Sequence, residues 1–307
     1  MTSQDDRIDV RDWSLLGVLS ILWGGSFFFN GVVLRELPPL TLVLLRVVLA
    51  SGFLLPLLWV YRIRFPKGIS GWTPFIAIGL FNNVLPFSLI VAGQTYIPSG
   101  LASILNATTP LFTVMVMAAA GEEKLQARRI AGVITGLVGV VILHGGLGGS
   151  FENGQGIGIL LCLAGAFSYG LSALVARKLL SNSPPLGTAT FQLLASSAMM
   201  IVVAGLVERP WQLPMPSVST WLAVIGLAAL STALAYIVFF QILRRSGATN
   251  VMLVTLLIPV TAILLGYLVL GEQISPREIF GALVIGSALL LIDGRVLGLI
   301  RRNSLGA

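Results

Sequence analysis

The feature that most constrains this chain is a series of ten apolar runs, each long enough to cross a bilayer, joined by short polar connections. A hydrocarbon core about 30 Å thick needs roughly 20 apolar residues of helix at about 1.5 Å each. The runs fall near 13–34, 40–60, 72–93, 98–118, 127–146, 154–176, 186–207, 219–242, 248–270 and 276–297. They are continuous rather than alternating at every second residue, which disfavours a β-barrel. Only 10% of the 307 residues are charged and the mean hydropathy is +0.95, whereas soluble domains carry roughly 25% charge. The polar segment 1–12 shows no cleavage site, and the first run reads as a retained span. The expected fold class is an all-α polytopic membrane protein.

A net charge of +7 and a pI near 10.2 raise the question of nucleic acid, which would require the cations to form a patch or stripe. They are sided instead. Fifteen lie in the N-tail (Arg7, Arg11), in loop 2–3 (Arg62, Arg64, Lys67), in loop 4–5 (Lys124, Arg128, Arg129), in loop 6–7 (Arg177, Lys178), in loop 8–9 (Arg244, Arg245) and in the C-tail (Arg295, Arg301, Arg302). The opposite side has three, Arg35, Arg209 and Arg277, and Arg46 lies inside span 2. Cytoplasmic loops carry the excess of Lys and Arg, so both termini are expected in the cytoplasm and no nucleic acid partner is expected.

The second half echoes the first. At an offset of 149, Trp72 matches Trp221, Pro110 matches Pro259, Glu123 matches Glu272, Gly132 matches Gly281 and Gly145 matches Gly294. At 146, Pro38-Pro39 matches Pro184-Pro185 and Arg46 matches Gln192. Residues 13–146 and 154–297 therefore read as two five-helix repeats joined by a Gly-rich linker, 147–153, with a C-tail at 298–307. Five spans per repeat is an odd number, so the second enters the membrane inverted, a recurring plan of secondary transporters with the substrate site near the midplane.

Trp23-Gly24 in span 1, Leu45-Arg46 in span 2, Pro110 with Gly121-Glu122-Glu123 in the fourth span region, and Pro259 with Gly271-Glu272 carry a likeness. Together they resemble the drug/metabolite transporter superfamily, in particular bacterial ten-helix proteins with two EamA repeats. The resemblance implies a central cavity, a bacterial inner-membrane location and export of small molecules such as amino acids, aromatic ones included, or paraquat-like cations. It names no cofactor.

Polar groups at mid-membrane need partners or a wet cavity. Asn82-Asn83 in span 3 and Ser231-Thr232 in span 8 are 149 apart and form matching polar pairs, either lining a site or joining helices. Pro110 and Pro259 would free the carbonyls of Asn106 and Thr255, giving a kink that flexes in gating or a static one capped locally. Trp23, Tyr169 and Tyr236 offer rings for an amphipathic or cationic substrate; Trp23 is favoured because glycines and Ser26 follow it. Gln94 and Tyr96 are placed in an outer vestibule. Arg46 either contacts a substrate anion or snorkels and bonds backbone carbonyls.

No Asp or Glu lies in the middle third of any span, and the single histidine, His144, lies near a span end. Proton-coupled carriers usually rely on such groups, so the expectation is alternating access by uniport down the substrate gradient, or coupling through groups the sequence does not mark. One cysteine, Cys162, excludes an internal disulfide and a thiolate metal cluster; neither metal nor cofactor is expected. A channel is the milder alternative. An intramembrane serine protease would need Ser172, in Gly170-Leu171-Ser172-Ala173, to meet His144 at about 3 Å across most of a membrane. No catalytic residue is assigned. The expected partners are a small-molecule substrate and the lipid bilayer; a monomer suffices for this plan.

Overall fold

The computed structural model describes residues 10–123, 126–144, 154–181, 183–251 and 253–293. The linker 147–153, the C-tail, and the His144 side chain lie outside what is described. Ten helical columns follow in chain order: α1 Val10–Val33, α2 Pro39–Val60, α3 Gly68–Gly93, α4 Ser99–Ala119, α5 Ala127–His144, α6 Gln155–Leu179, α7 Pro185–Val207, α8 Val218–Ile242, α9 Val254–Leu270 and α10 Pro276–Asp293. Among the described residues seven are long and apolar enough to cross a membrane, and α5 and α10 have 18 residues each. The ninth is shorter than the run 248–270 suggests. The helix that ends α8 runs on past its apolar part, from Ala235 to Val251, so residues 248–251 belong to that column. The exterior is strongly apolar, with Trp59, Leu206, Leu268 and Leu283 each at least two-thirds exposed, as a lipid-facing surface requires.

The helix ends follow local chemistry. Pro39 and Pro185 open α2 and α7, where a missing N–H costs nothing. Ser275 and Glu278 exchange side-chain-to-backbone hydrogen bonds at the start of α10, with Ser275 N donating at 2.8 Å and Glu278 N at 3.2 Å. This is a capping box. Gly121 and Gly271 follow α4 and α9 with φ of +72° and +71°, left-handed positions that glycine takes without a Cβ penalty.

Connections 1–2, 3–4, 7–8 and 9–10 share one face, the odd face; connections 2–3, 4–5, 6–7 and 8–9 share the even face. The odd face is held by carboxylates reaching across the two halves. Glu208 accepts from the backbone N–H groups of Leu40 and Thr41 at 2.9 and 2.6 Å, two of the orphan donors of α2. Glu272 does the same for Ser99 and Gly100 of α4, and Glu36 accepts from the backbone and hydroxyl of Ser217, the N-cap of α8.

Within the bundle, small residues bring helices together, since lipid gives apolar side chains no reason to prefer one another. A Cβ on Gly24 would lie 2.6 Å from Thr261 Cβ, and one on Gly79 would lie 2.9 Å from the Gln192 carbonyl. Gly132 and Gly139 face α10 in the same way, whereas Gly136 faces Leu111 of α4. Helices α5 and α10 pair with each other at the flank of the bundle.

Two columns carry a π-helical turn, Leu80–Val84 in α3 and Ala229–Leu234 in α8, beginning 149 residues apart. A third closes α9 at Gly266–Leu270. A π turn inserts one residue and releases carbonyls from the regular ladder. In α3 those carbonyls find hydroxyls on neighbouring helices: Ser168 Oγ donates to Phe81 O at 2.8 Å and Ser196 Oγ to Gly79 O at 3.2 Å. In α8, Thr232 Oγ1 donates to Leu227 O at 2.9 Å.

Candidate functional site

The π turns of α3 and α8 border a central cavity of about 580 Å³, lined there by Asn82, Ser231 and Thr232. Every column except α5 and α10 contributes to its wall. It runs from Phe27 and Asn30 near the odd face to Ser181, Ser183 and Thr188 at connection 6–7, where Ser181 is exposed. The site therefore opens toward the even face. At the other end Asn30 Nδ2 donates to Gln94 Oε1 at 2.8 Å, while Gln94 Nε2 donates to Phe27 O at 3.0 Å and to Ser99 Oγ at 3.1 Å.

Trp23, Asn82, Asn106, Tyr169, Ser231, Thr232, Tyr236, Thr255 and Arg46 all line this cavity. Asn83, Pro110, Pro259, Gln94 and Tyr96 do not. Asn83 is fully buried behind the wall; its amide donates to Ser196 Oγ at 3.0 Å and its oxygen accepts from Tyr236 OH at 3.0 Å. Gln94 serves the seal just described and borders a hollow on the odd face. Tyr96 packs on Gly154 and Gly158 at the start of α6.

The two prolines differ in setting. Pro259 is inside α9. Pro110 is not in a helix interior, because α4 is broken at Ala107-Thr108 and Pro110 opens its second half. The Asn106 carbonyl there accepts from Thr109 Oγ1 at 2.7 Å, and the Leu105 carbonyl accepts from Thr108 Oγ1 at 2.6 Å. The glycine beside Trp23 serves contact between α1 and α9 rather than open space.

A polar chain crosses the cavity wall. Asn82 Nδ2 donates to Gln192 Oε1 and to Tyr236 OH, both at 3.2 Å, and Asn82 Oδ1 accepts from Ser172 Oγ at 3.1 Å. Gln192, Ser172 and Ser196 were not among the expected site residues; the match of Gln192 to Arg46 at an offset of 146 was the available signal. Beside this chain runs an aromatic wall: Trp23 and Phe239 have ring centroids 5.5 Å apart, and Tyr236 stacks on Phe240 at 6.2 Å. Asn106 Oδ1 and Ser231 Oγ are buried without a protein hydrogen-bond partner.

Arg46 is 6% exposed. Its Nε donates to Thr232 Oγ1 at 2.9 Å and its guanidinium carbon lies 3.7 Å from the centroid of the Phe87 ring, a cation–π distance. The carboxylates with described side chains are engaged elsewhere. Asp12 pairs with Arg245, Glu122 with Arg177 and Lys178, and Glu123 with Arg129 and Arg177. Glu36, Glu208 and Glu272 cap helices across the halves, and Glu278 closes its own capping box. No group of three or more His, Cys, Asp or Glu that could hold a metal ion occurs among the described residues.

A cavity walled by two matching halves of a helical membrane bundle is the architecture of a carrier, and the comparisons agree. The sequence model of the EamA-like transporter family matches twice, at residues 13–144 and 156–293. The chain belongs to this family and is a multi-pass membrane transporter protein. Among similar proteins, a probable amino-acid metabolite efflux pump of Salmonella typhimurium is 28% identical, the match covering 92% of this chain and 94% of that one. The uncharacterized transporter YoaV of Bacillus subtilis is 23% identical over 88% of this chain and 93% of its own. A solved structure described as "Crystal structure of protein" superposes with a TM-score of 0.64 at 22% identity, covering 91% of this chain and 97% of that one. It shares the fold.

Proposed function

We propose that this protein exports small amphipathic metabolites, amino acids foremost, across the bacterial inner membrane by alternating access. The observation that carries the reading is one cavity lined by polar residues at equivalent positions of both halves, Asn82 in the first and Ser231 with Thr232 in the second, sealed at the odd face and open at the even face. The sided distribution of Lys and Arg supports placing the even face and both termini in the cytoplasm. The structure then stands in an inward-facing state, with Trp23, Asn82, Tyr169, Tyr236, Ser231 and Thr232 around the substrate and the proline-bearing α4 and α9 as moving parts. The printed name of the Salmonella relative supports amino acids as cargo. Transport is proposed as uniport, since no carboxylate lies in the middle of a span.

The test is a panel of labelled amino acids and organic cations in proteoliposomes. Accumulation of an amino acid down its gradient, lowered in the Trp23→Ala and Asn82→Ala variants that remain folded, is the expected result. Normal transport by both variants would move the site elsewhere, and uphill uptake driven by a pH gradient alone would overturn uniport. A C-terminal reporter active only outside the cytoplasm would invert the orientation.

A further inference from the structure

We infer that Arg46 is the anchor for a carboxylate on the transported molecule, so that the cargo is an organic anion or zwitterion with an apolar body and not a simple cation. The inference rests on the carrier reading and deepens it. A buried guanidinium calls for a partner charge, and the described carboxylates are engaged elsewhere. Two of its valences are satisfied by protein: Thr232 takes Nε and Phe87 covers one face of the plane. The two terminal nitrogens make no hydrogen bond to protein among the described residues, and the residue lines the cavity. Paired terminal N–H groups fit the two oxygens of one carboxylate. Snorkelling does not explain the geometry, because Thr232 and Phe87 hold the group at cavity depth.

Among the described residues no second cation lines the cavity. Gln192, the repeat counterpart of Arg46, is neutral and accepts from Asn82, so the described lining presents the charge of Arg46 alone. The Trp23–Phe239 pair supplies the surface for the apolar body. A simple cation entering this cavity would meet an uncompensated positive charge, which a neutral or negative site would not present.

The test uses the full-length protein in proteoliposomes and in detergent, with four probes sharing a phenyl group: 3-phenylpropionate, phenylalanine, phenylalanine amide and 2-phenylethylamine. Wild type is expected to bind and move the first two at least tenfold better than the last two. Arg46→Gln is expected to lose that preference, and Arg46→Lys to restore part of it. Chloride and nitrate are run as competitors. If they bind as tightly as the carboxylates do, Arg46 holds a resident inorganic anion and the proposal fails. Transport of the amine or amide as fast as the carboxylates leaves the carrier reading standing and overturns the anion site. Transport of no member overturns the carrier reading for this class and the anion site with it. Because the probe series is read on wild type, the outcome survives a variant that fails to fold.

Discussion

Adjacent residues of one polar pair do different jobs. Asn82 faces the cavity, whereas Asn83 is enclosed and joins α3 to α7 and α8. Removing a buried partner leaves others unsatisfied, at about 1–3 kcal/mol. Asn83→Ala is therefore expected to lower the unfolding temperature in detergent more than Asn82→Ala, while Asn82→Ala costs more transport per folded molecule. The sequence showed the pair and its echo at Ser231-Thr232. It did not show which member faces inward, because one inserted residue in a π turn rotates the side chains away from a regular helical register. Ser172 shows a similar limit: the sequence offers it no role beyond a protease reading that is set aside, and its hydroxyl is found donating to Asn82.

At the scale of the element, ten columns were legible because hydropathy and short connections leave little choice. The interruptions were not legible, since nothing in the composition of 80–84 or 229–234 distinguishes a π turn from an α turn. The break of α4 also escaped, as a proline in an apolar run reads as a kink until hydroxyls are seen holding the released carbonyls. Helix contact gives a sharp contrast. A Cβ at Gly24 would lie 2.9 Å from the Ile258 carbonyl, whereas one at Gly17 meets nothing within 4 Å. Gly24→Ala is expected to destabilise by about 1–3 kcal/mol by forcing α1 from α9, and Gly17→Ala to be neutral or better; thermal unfolding in detergent reads both. The cap on α8 gives a pH signature. Hydrogen bonds from Ser217 hold the Glu36 carboxyl below its ordinary 4.5, so the cap is in place above that value and is lost as pH falls through the lowered one. Amide exchange at the start of α8 should rise in that acid range, and should be pH-insensitive beyond the intrinsic rate in Glu36→Gln.

Across the whole molecule, closure at the odd face depends on contacts between the halves. Glu208 and Glu272, both from the second half, cap α2 and α4 of the first. Replacing both with alanine removes those caps and is expected to shift the population toward opening at the odd face. A cysteine placed at Thr188, at the even-face mouth, should then label more slowly than in the parent protein. Cys162 is fully buried, so its background reaction is low. Unchanged labelling would separate the caps from gating. The halves and their inversion were visible in the repeats at 149, but the seal was not, because Asn30, Gln94 and Ser99 meet only when three columns pack.

Arg46 has an electrical consequence. An empty cavity holds one uncompensated positive charge, and a cavity carrying a single anionic group holds none. Moving one charge across the membrane field is worth about 2.3 kcal/mol per 100 mV. Reorientation that carries Arg46 through part of the field therefore responds to membrane voltage when the carrier is vacant, and far less when its cargo neutralises it. For a net anionic cargo the return of the empty protein is then the step that the membrane potential governs, whereas a zwitterion leaves the net charge in place and both passages respond to voltage.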